Sequence, residues 1–254
     1  MSDNLIDGAG PSLDAFETLA KTRRSVRDFL PDPIPDALLW RLLDIARWAP
    51  SGYNLQPTRF VVVTDAALCE RLLPACMDQR QITQAPAVVV FAGDRDVFAT
   101  NFERVVRMEL QNGSISPEYE AKLREFVPLA FSTGPAGLGW LWKATIAPIA
   151  RLFRPIPSMP AVHRSAWLIK QVSLSAMVFM LAAHAAGLAT VPMEGFDEGR
   201  LKRVLGLPRS LIVPMIVPVG YAAPHRLSKT RLGVDALVGM RGGEVINSLE
   251  WIPK

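Results

Sequence analysis

KTRRSVRDF, residues 21–29, is the segment from which the rest of the chain can be interpreted. It lies between a helical pattern and a proline-rich turn, and it brings together Arg23, Arg24, Ser25 and Arg27. Guanidinium groups, a hydroxyl and backbone N–H groups are the donors that hold a phosphate monoester. We interpret this segment as a phosphate clamp, although its spacing fits a solvated patch of surface charge equally well.

A second basic pair, Lys229 and Arg231, lies near the other end of the chain in the stretch LSKTRL. Side chains two residues apart point to the same side of an extended segment, so the pair can act together. The chain has a formal net charge of +4. This charge favours an anionic partner but is too small to indicate nucleic acid.

The composition is that of a globular protein, with 254 residues of which 50% are hydrophobic. That is enough for one large core or two small ones. Helical and strand-like patterns alternate, which predicts an α/β or α+β fold. We predict a single domain over residues 1–254, with a disordered leader at 1–11, an apolar insertion at 131–160 and an extended tail at 222–254.

Local patterns predict where individual elements begin and end. Ser12, Asp36 and Asp197 are predicted helix caps. Pro214 and Pro218 interrupt the last strand, which predicts bulges or an edge position for it. Helices are predicted to begin near residues 13, 36, 66, 97, 117, 167 and 198, and strands to cover 60–63, 87–91 and 211–221.

The two cysteines, Cys69 and Cys76, are too far apart along one predicted helix for an easy disulfide. We therefore predict two buried thiols in a reducing, cytoplasmic environment. The longest apolar run, residues 173–188, contains His184 and is short for a membrane span, so we predict a buried helix. The first twelve residues have neither the basic nor the apolar region of a secretion signal.

Two loops are candidates for ligand contact. The loop 50–57 offers Ser51, Asn54 and Gln56, which can address the edge of a polar heterocycle, although such residues also make ordinary turns. The second loop, Pro-Met-Glu-Gly at 192–195, follows the long apolar helix. Its glycine permits a close backbone approach to a flat ring, or it merely turns the chain.

Several catalytic patterns are missing from the sequence. The three histidines have no metal-site spacing, no serine lies in a GxSxG elbow, and no GxGxxG follows a strand. A reaction in which a bound cofactor carries the chemistry fits this scarcity of acid–base groups.

Four segments, taken in order, closely resemble the FMN-dependent nitroreductase family. They are RRSVRDF at 23–29, LLDIARWAPSGYNLQPTRFVVV at 42–63, GLATVPMEGFD at 187–197, and VPVGY at 217–221 followed by LSKTRL at 227–232. The resemblance implies an α+β fold, a nitroreductase-like three-layer α/β/α sandwich with a mixed, mostly antiparallel sheet. It also implies an intertwined homodimer with two FMN sites at its interface.

The resemblance further implies roles for individual residues. The phosphate clamp, joined by Lys229 and Arg231, would bind the ribityl phosphate of FMN. A backbone N–H of the second loop would hydrogen-bond the redox-active nitrogen and favour the reduced ring. The residues expected at the isoalloxazine are Pro50, Ser51 and Asn54, from the partner chain, and Pro192, Met193, Glu194 and Gly195.

The chain departs from the family pattern in two places. Where some members place Asn and Lys at the pyrimidine edge of the flavin, residues 78–81 here read Asp-Gln-Arg-Gln. Gln81 can donate to the ring, but a neutral amide stabilises an anionic reduced flavin less than a lysine does. The Trp-rich insertion at 131–160 is not a family signature. We interpret it as an apolar lid rather than as a membrane contact.

The leading hypothesis is an FMN-dependent oxidoreductase that uses NADH or NADPH and reduces nitroaromatic, quinone or related small aromatic acceptors by ping-pong hydride transfer. No side chain need act as a nucleophile. One alternative is a specialised member of the same fold, such as a reductive dehalogenase, a flavin-cleaving enzyme or a dehydrogenating enzyme. Another is a membrane-surface flavoprotein. Nucleic acid is not an expected partner, because one phosphate accounts for the basic groups.

Overall fold

The computed structural model describes residues 12–131, 149, 152–153, 163–224, 229–234, 241–242 and 244–245. By its contacts the chain divides into two compact units, residues 1–223 and 224–254. The predicted leader at 1–11 and most of the insertion at 131–160, including Trp140 and Trp142, lie outside the described residues.

Helices and strands alternate along the described chain. The helices are α1 (Leu13–Thr22), α2 (Asp36–Ala46), α3 (Ala66–Leu72), α4 (Gln81–Gln84), α5 (Val97–Gln111), α6 (Pro117–Phe131), α7 (Arg164–Ala185) and α8 (Glu198–Leu205). The strands are β1 (Thr58–Val63), β2 (Ala87–Asp94), β3 (Ala189–Thr190), β4 (Leu211–Gly220), β5 (Arg241–Gly242) and β6 (Glu244–Val245).

The first unit contains a four-stranded sheet in the order β1-β2-β4-β3. Its strand pairs are antiparallel, and a parallel bridge joins Ser25 to Thr190 at the β3 edge. The sheet is therefore mixed and mostly antiparallel, as the resemblance implied. In the second unit β5 and β6 form a short antiparallel pair.

Strand β2 lies at the centre of the core, and every one of its residues is buried. Its side chains alternate between two faces, as the period of a strand requires. Val88 and Val90 pack into a core covered by α3 and α8, whereas Val89 and Phe91 pack into a core covered by α2 and α7. Helices on both faces of one sheet confirm the predicted three-layer sandwich.

Helix α7 is the element predicted as a buried apolar helix. By length and composition it could cross a membrane, yet half of its most apolar stretch is buried inside the protein. Val172, Ala176, Phe179 and Ala183 recur at helical spacing, and all four belong to the core against the sheet. This packing is that of a core helix, as predicted.

Several local predictions can be compared with the structure. The Ser12 and Asp197 caps are confirmed, since each side chain accepts a hydrogen bond from a backbone N–H of the first helical turn. The Asp36 cap is wrong, because Pro35 takes the cap position and Asp36 is the first helical residue. In β4 the predicted bulge lies beside Pro214, where the register with β2 shifts. The edge alternative is wrong, because β4 lies between β2 and β3.

Both cysteines are buried and free, as predicted. Burial disfavours the thiolate and raises the pKa of Cys76 to about 11. The pKa of Cys69 is raised as well, first by burial and then by the nearby Asp65 and Glu70 carboxylates. Both groups are therefore neutral apolar side chains at physiological pH.

Candidate functional site

The phosphate clamp lies along the β3 edge of the sheet. The N–H of Val26 donates to the carbonyl of Thr190 at 3.1 Å, and the N–H of Leu30 donates to the carbonyl of Tyr221 at 2.9 Å. Val26 and Phe29 are buried and anchor the segment in the protein. The backbone of the clamp is thus fixed from two sides.

Three polar side chains of the clamp, those of Arg24, Ser25 and Arg27, remain accessible. Arg23 ends α1, and its N–H donates to the carbonyl of Leu19 at 3.2 Å. Arg24 and Ser25 are half-buried, and Arg27 is exposed. Neither Arg24 nor Arg27 forms an ion pair with a residue that the structure describes. Their positive charge is therefore available to an anionic ligand.

The loop 192–195 leaves the sheet beside β4. Met193 exchanges two backbone hydrogen bonds with Ile216, at 2.8 Å and 3.1 Å. The side chain of Met193 is buried in the core, Pro192 is half-buried, and the side chain of Glu194 is exposed. The loop therefore starts from a fixed point on the sheet and turns outward at Glu194.

Beyond this fixed point, two backbone donors have no partner among the residues that the structure describes. The N–H of Phe196 donates to the carbonyl of Glu194 at 3.0 Å, and the N–H of Asp197 donates to the carbonyl of Ala75 at 2.8 Å. Within the described chain no acceptor is found for the N–H groups of Glu194 and Gly195. Two adjacent free backbone donors are a ready site for the acceptor atoms of a ligand.

The segment at 79–81 contacts this loop directly. The Nε2 of Gln79 donates to the carbonyl oxygen of Gly195 at 2.8 Å, and the Nε2 of Gln81 donates to the Oε1 of Gln79 at 3.0 Å. Gln81 is only 7% exposed. The predicted residues Gln81 and Gly195 are thus joined through Gln79.

Helix α4 also links this segment to the clamp. When the Gln84 amide is oriented to satisfy both of its polar atoms, its oxygen accepts from Arg80 at 2.9 Å and its nitrogen donates to the carbonyl of Arg27 at 3.3 Å. Three parts of the predicted cofactor site, namely residues 23–27, Gln81 and residues 192–195, therefore lie in one neighbourhood.

The loop 50–57 is held on a different part of the protein. The N–H of Gly52 donates to the Oε1 of Gln171 on α7 at 3.2 Å. The Nδ2 of Asn54 donates to a carboxylate oxygen of Glu109 on α5 at 2.9 Å. The side chain of Ser51 accepts from a backbone N–H of its own loop. These bonds fix the shape of the loop before any ligand arrives.

Backbone strain is concentrated in two of these loops. Among described residues other than glycine, a positive φ occurs only at Tyr53, Asn54, Gln56, Met77 and Asp78. Each such residue costs about 1–2 kcal/mol relative to an ordinary conformation. Strain of this kind is typical of functional loops, and here it lies in the loop 50–57 and directly before Gln79.

The clamp and the loop 50–57 lie at opposite corners of the sheet. The loop enters β1 at Thr58, which faces Gly93 near the end of β2. The clamp is bonded to Thr190 on β3, which faces Val219, and Val219 in turn faces Ala87 at the start of β2. The separation is about 20 Å along the strands and about 14 Å across them. Direct contacts from one chain therefore cannot place both on the same small ligand.

Lys229 and Arg231 belong to the second unit, residues 224–254. Lys229 is half-buried, and Arg231 is exposed. The Nη1 of Arg231 donates to the carbonyl of Thr230 at 2.7 Å. Their participation in the phosphate site stays a prediction.

A cavity of about 560 Å³ adjoins the loop 50–57. Its described lining includes Arg47, Arg59 and Arg104 and no acidic side chain. The Oε1 of Gln171 accepts the bond from Gly52 described above, while its Nε2 is buried with no partner among the described residues. This face of the protein is therefore rich in hydrogen-bond donors.

Three residues that shape the site were not predicted from the sequence: Gln79, Glu109 and the Gln171 amide as a contact of the loop. A lone amide within the apolar α7 pattern was the available signal for Gln171. Gln79 and Glu109 carried no such signal, because polar residues are common in turns and on helix surfaces. Among the described residues no group of three or more His, Cys, Asp or Glu is arranged to hold a metal ion.

Comparison with known proteins adds a family relationship. The model of the Nitroreductase family matches residues 20–221. A Thermus thermophilus protein named NADH dehydrogenase is 31% identical over 228 residues, which cover 90% of this chain and 96% of its own.

Solved structures share the fold. A nitroreductase-like protein from Streptococcus mutans has a TM-score of 0.72 and 25% identity, covering 91% of this chain and all of its own. A nitroreductase-fold protein from Exiguobacterium sibiricum, determined in complex with FMN, has a TM-score of 0.67 and 21% identity, covering 92% of this chain and 99% of its own.

The strained residue before the Gln79 segment leads to a stability prediction. Met77 has a φ of 55° and its side chain is 67% exposed. Met77→Gly should raise the free energy of unfolding by about 0.5–1 kcal/mol, since relief of the left-handed strain exceeds the added entropy of the unfolded chain. Urea unfolding measures this change.

Met108→Gly is the matched control for Met77→Gly. Met108 is 41% exposed and lies within α5, where glycine should lower the free energy of unfolding by about 1 kcal/mol. An equal loss of stability in both variants would show that the backbone at Met77 is not strained.

Proposed function

Because the chain belongs to the nitroreductase family, we propose that it is an FMN-dependent oxidoreductase that moves hydride from NADH or NADPH to a small aromatic or quinone-like acceptor. The flavin supplies the redox-active ring when it is bound, and the protein binds and orients it. The NADH dehydrogenase name of the T. thermophilus relative and the FMN bound to the E. sibiricum structure support the reductant and the cofactor.

The observation that carries the proposal is the pair of unpartnered N–H groups at Glu194 and Gly195. These donors are adjacent, and the bonds of Met193 and Asp197 fix the backbone on either side of them. We propose that they bind the redox-active edge of the isoalloxazine. Backbone donors do not titrate, so they favour charge on a reduced ring over a wide pH range.

The clamp supports an anchor for the phosphate. Ser25 bridges to Thr190, and Gly195 lies only five positions after Thr190. An extended chain of that length spans at most about 18 Å, which suits a ligand with a phosphate at one end and a flat ring at the other. We propose that Lys229 and Arg231 complete the phosphate site.

The opposite-corner arrangement supports a homodimer. Pro50, Ser51 and Asn54 can reach the same flavin as the clamp only when a second copy supplies them. Large apolar side chains are available for such an interface, since Trp40 on α2 and Trp48, two residues after α2, are 74% and 73% exposed. We propose that each flavin contacts the clamp of one chain and the loop 50–57 of the other.

An aromatic cluster borders the start of the insertion. Phe131, the last residue of α6, stacks on Phe98 with a centroid distance of 5.6 Å and meets Trp167 edge-on at 5.1 Å. Tyr53 of the strained loop also meets Phe131 edge-on, at 6.3 Å. We propose that this apolar wall faces the substrate side of the flavin, which favours flat aromatic acceptors.

Flavin uptake and turnover test the proposed function directly. The purified protein should bind FMN and oxidise NADH or NADPH in the presence of a nitroaromatic or quinone. Double-reciprocal plots for the two substrates should be parallel, as ping-pong kinetics require. Failure to bind FMN would overturn the proposal. FMN binding without NAD(P)H oxidation for any acceptor in the panel would instead favour a specialised branch of the fold.

Removal of a clamp arginine should weaken cofactor binding. Arg23→Ala or Arg231→Ala removes a charge-assisted contact to phosphate and should cost about 1.5–3 kcal/mol, roughly a 10- to 150-fold rise in the Kd for FMN. Quenching of flavin fluorescence measures this Kd. Arg209→Ala is the control, because the exposed Arg209 lies beside the opposite end of β4. An unchanged Kd in both clamp variants would exclude the phosphate clamp.

Mixed dimers test whether two chains share one site. Arg23→Ala damages the clamp, and Pro50→Trp places a bulky side chain at an exposed position of the loop. After the two variants are unfolded together and refolded, half of the dimers are mixed and half of their sites carry neither change. About one quarter of wild-type activity should therefore return. No recovery above the separate variants would place both elements at the same single-chain site.

A further inference from the structure

Gln79 makes a pair of hydrogen bonds to which the proposed function gives no role. Its Nε2 donates to the carbonyl of Gly195 at 2.8 Å, and its Oε1 accepts from the Nε2 of Gln81 at 3.0 Å. The two bonds use opposite ends of one amide, so they fix its orientation. A half-buried side chain is thereby directed at the loop that carries the free donors.

The contact between Gln79 and Gly195 leaves no room for another side chain. A Cβ built on Gly195 would lie 2.8 Å from the Nε2 of Gln79, closer than real Cβ atoms approach a neighbour. The next atom, the Cδ of the same amide, would be 3.8 Å away. A side chain at position 195 would therefore displace the amide of Gln79.

The carbonyl that Gln79 holds controls the direction of the free N–H of Gly195. The Gly195 carbonyl and the Phe196 N–H belong to one peptide group, and that N–H donates to the carbonyl of Glu194 at 3.0 Å. The Glu194 carbonyl shares the preceding peptide group with the N–H of Gly195. Fixing the first peptide plane therefore fixes the second, although glycine would otherwise let both rotate.

The chain approaching Gln79 is itself rigid. Met77 and Asp78 both have left-handed backbone conformations, and the N–H of Asp78 donates to the carbonyl of Leu73 at 3.0 Å. Strained backbone conformations persist only where the surrounding structure enforces them. The strain at Met77 and Asp78 therefore indicates that the surrounding structure determines the position of Gln79. This turn delivers Gln79 to Gly195 in one orientation.

We infer that Gln79 is a positioning residue that aims the N–H of Gly195 at the flavin and thereby raises its reduction potential, while the bond from Ile216 to the Met193 carbonyl fixes the N–H of Glu194. The inference rests on the proposed function, since it needs FMN in the site. Donors aimed at the redox-active edge stabilise the reduced ring more than the oxidised ring. If the donor is no longer held in this direction, the protein binds reduced FMN less tightly relative to oxidised FMN. The reduction potential of the bound flavin then becomes more negative.

Gln79→Met removes both hydrogen bonds while keeping an unbranched side chain of similar length. The Kd for reduced FMN should rise about tenfold more than the Kd for oxidised FMN, which corresponds to a shift of about −30 mV for a two-electron couple. Equilibrium reduction against a reference dye gives the potential, and fluorescence quenching gives the Kd for oxidised FMN. Gln111→Met, at the exposed end of α5, is the matched control and should leave the potential unchanged.

A purely structural role for Gln79 predicts a different result. The melting temperature of Gln79→Met would fall, and the potential of its bound FMN would equal that of the wild type. That outcome would overturn the inference while leaving the proposed function intact. Failure of the wild-type protein to bind FMN would instead overturn the proposed function.

Gly195→Ala provides a second variant in case Gln79→Met does not fold. Its new methyl displaces the amide of Gln79, so the potential should shift in the same direction. In Gln79→Ala/Gly195→Ala that overlap is absent, and the two shifts should not add. Additive shifts would show that Gln79 does not act through Gly195, which contradicts the inference.

Discussion

The antiparallel pairing of β2 with β4 is the constraint on which the other elements depend. Every residue of β2 is buried, and so are eight of the ten residues of β4. Apolar side chains therefore project from both faces of the pair, and each buried Val or Phe contributes about 1.5–3 kcal/mol only if helices exclude water from both sides. The three-layer arrangement of α3 and α8 opposite α2 and α7 follows from this requirement.

The polar site is built where chain segments leave this rigid pair. Ile216 of β4 holds Met193, and the chain that follows β4 holds the clamp through Tyr221. A fixed frame can support left-handed residues at Asp78 and Asn54, each costing about 1–2 kcal/mol. The same frame separates the loop 50–57 from the clamp, so geometry that stabilises one chain leaves the proposed flavin site incomplete without a second.

Sequence patterns predicted those features that depend on neighbouring residues. The caps at Ser12 and Asp197, the buried strand β2 and the long helix α7 all follow from local periodicity. Asp36 was misplaced by one position because proline also begins helices. The bond between Gln79 and Gly195 joins residues 116 positions apart. No local pattern predicts such a contact. The placement of the loop 50–57 and the clamp at opposite corners likewise depends on the order of the strands in the sheet, which local patterns do not predict.

The groups proposed to bind the redox-active edge of the flavin are backbone N–H groups, which the fold itself holds in place. The anchoring of the cofactor is therefore easier to infer from the fold than the identity of the acceptor. Any residue supplies an N–H, so the side chain of Glu194 is free to vary, whereas Gly195 is restricted by the adjacent amide. In the proposed function the acceptor meets a different surface, the aromatic wall around Phe131. Under that proposal a change in the wall can alter what is reduced without moving the donors, because Gln79 and Ile216, which hold the donor loop, are not part of the core cluster around Phe131.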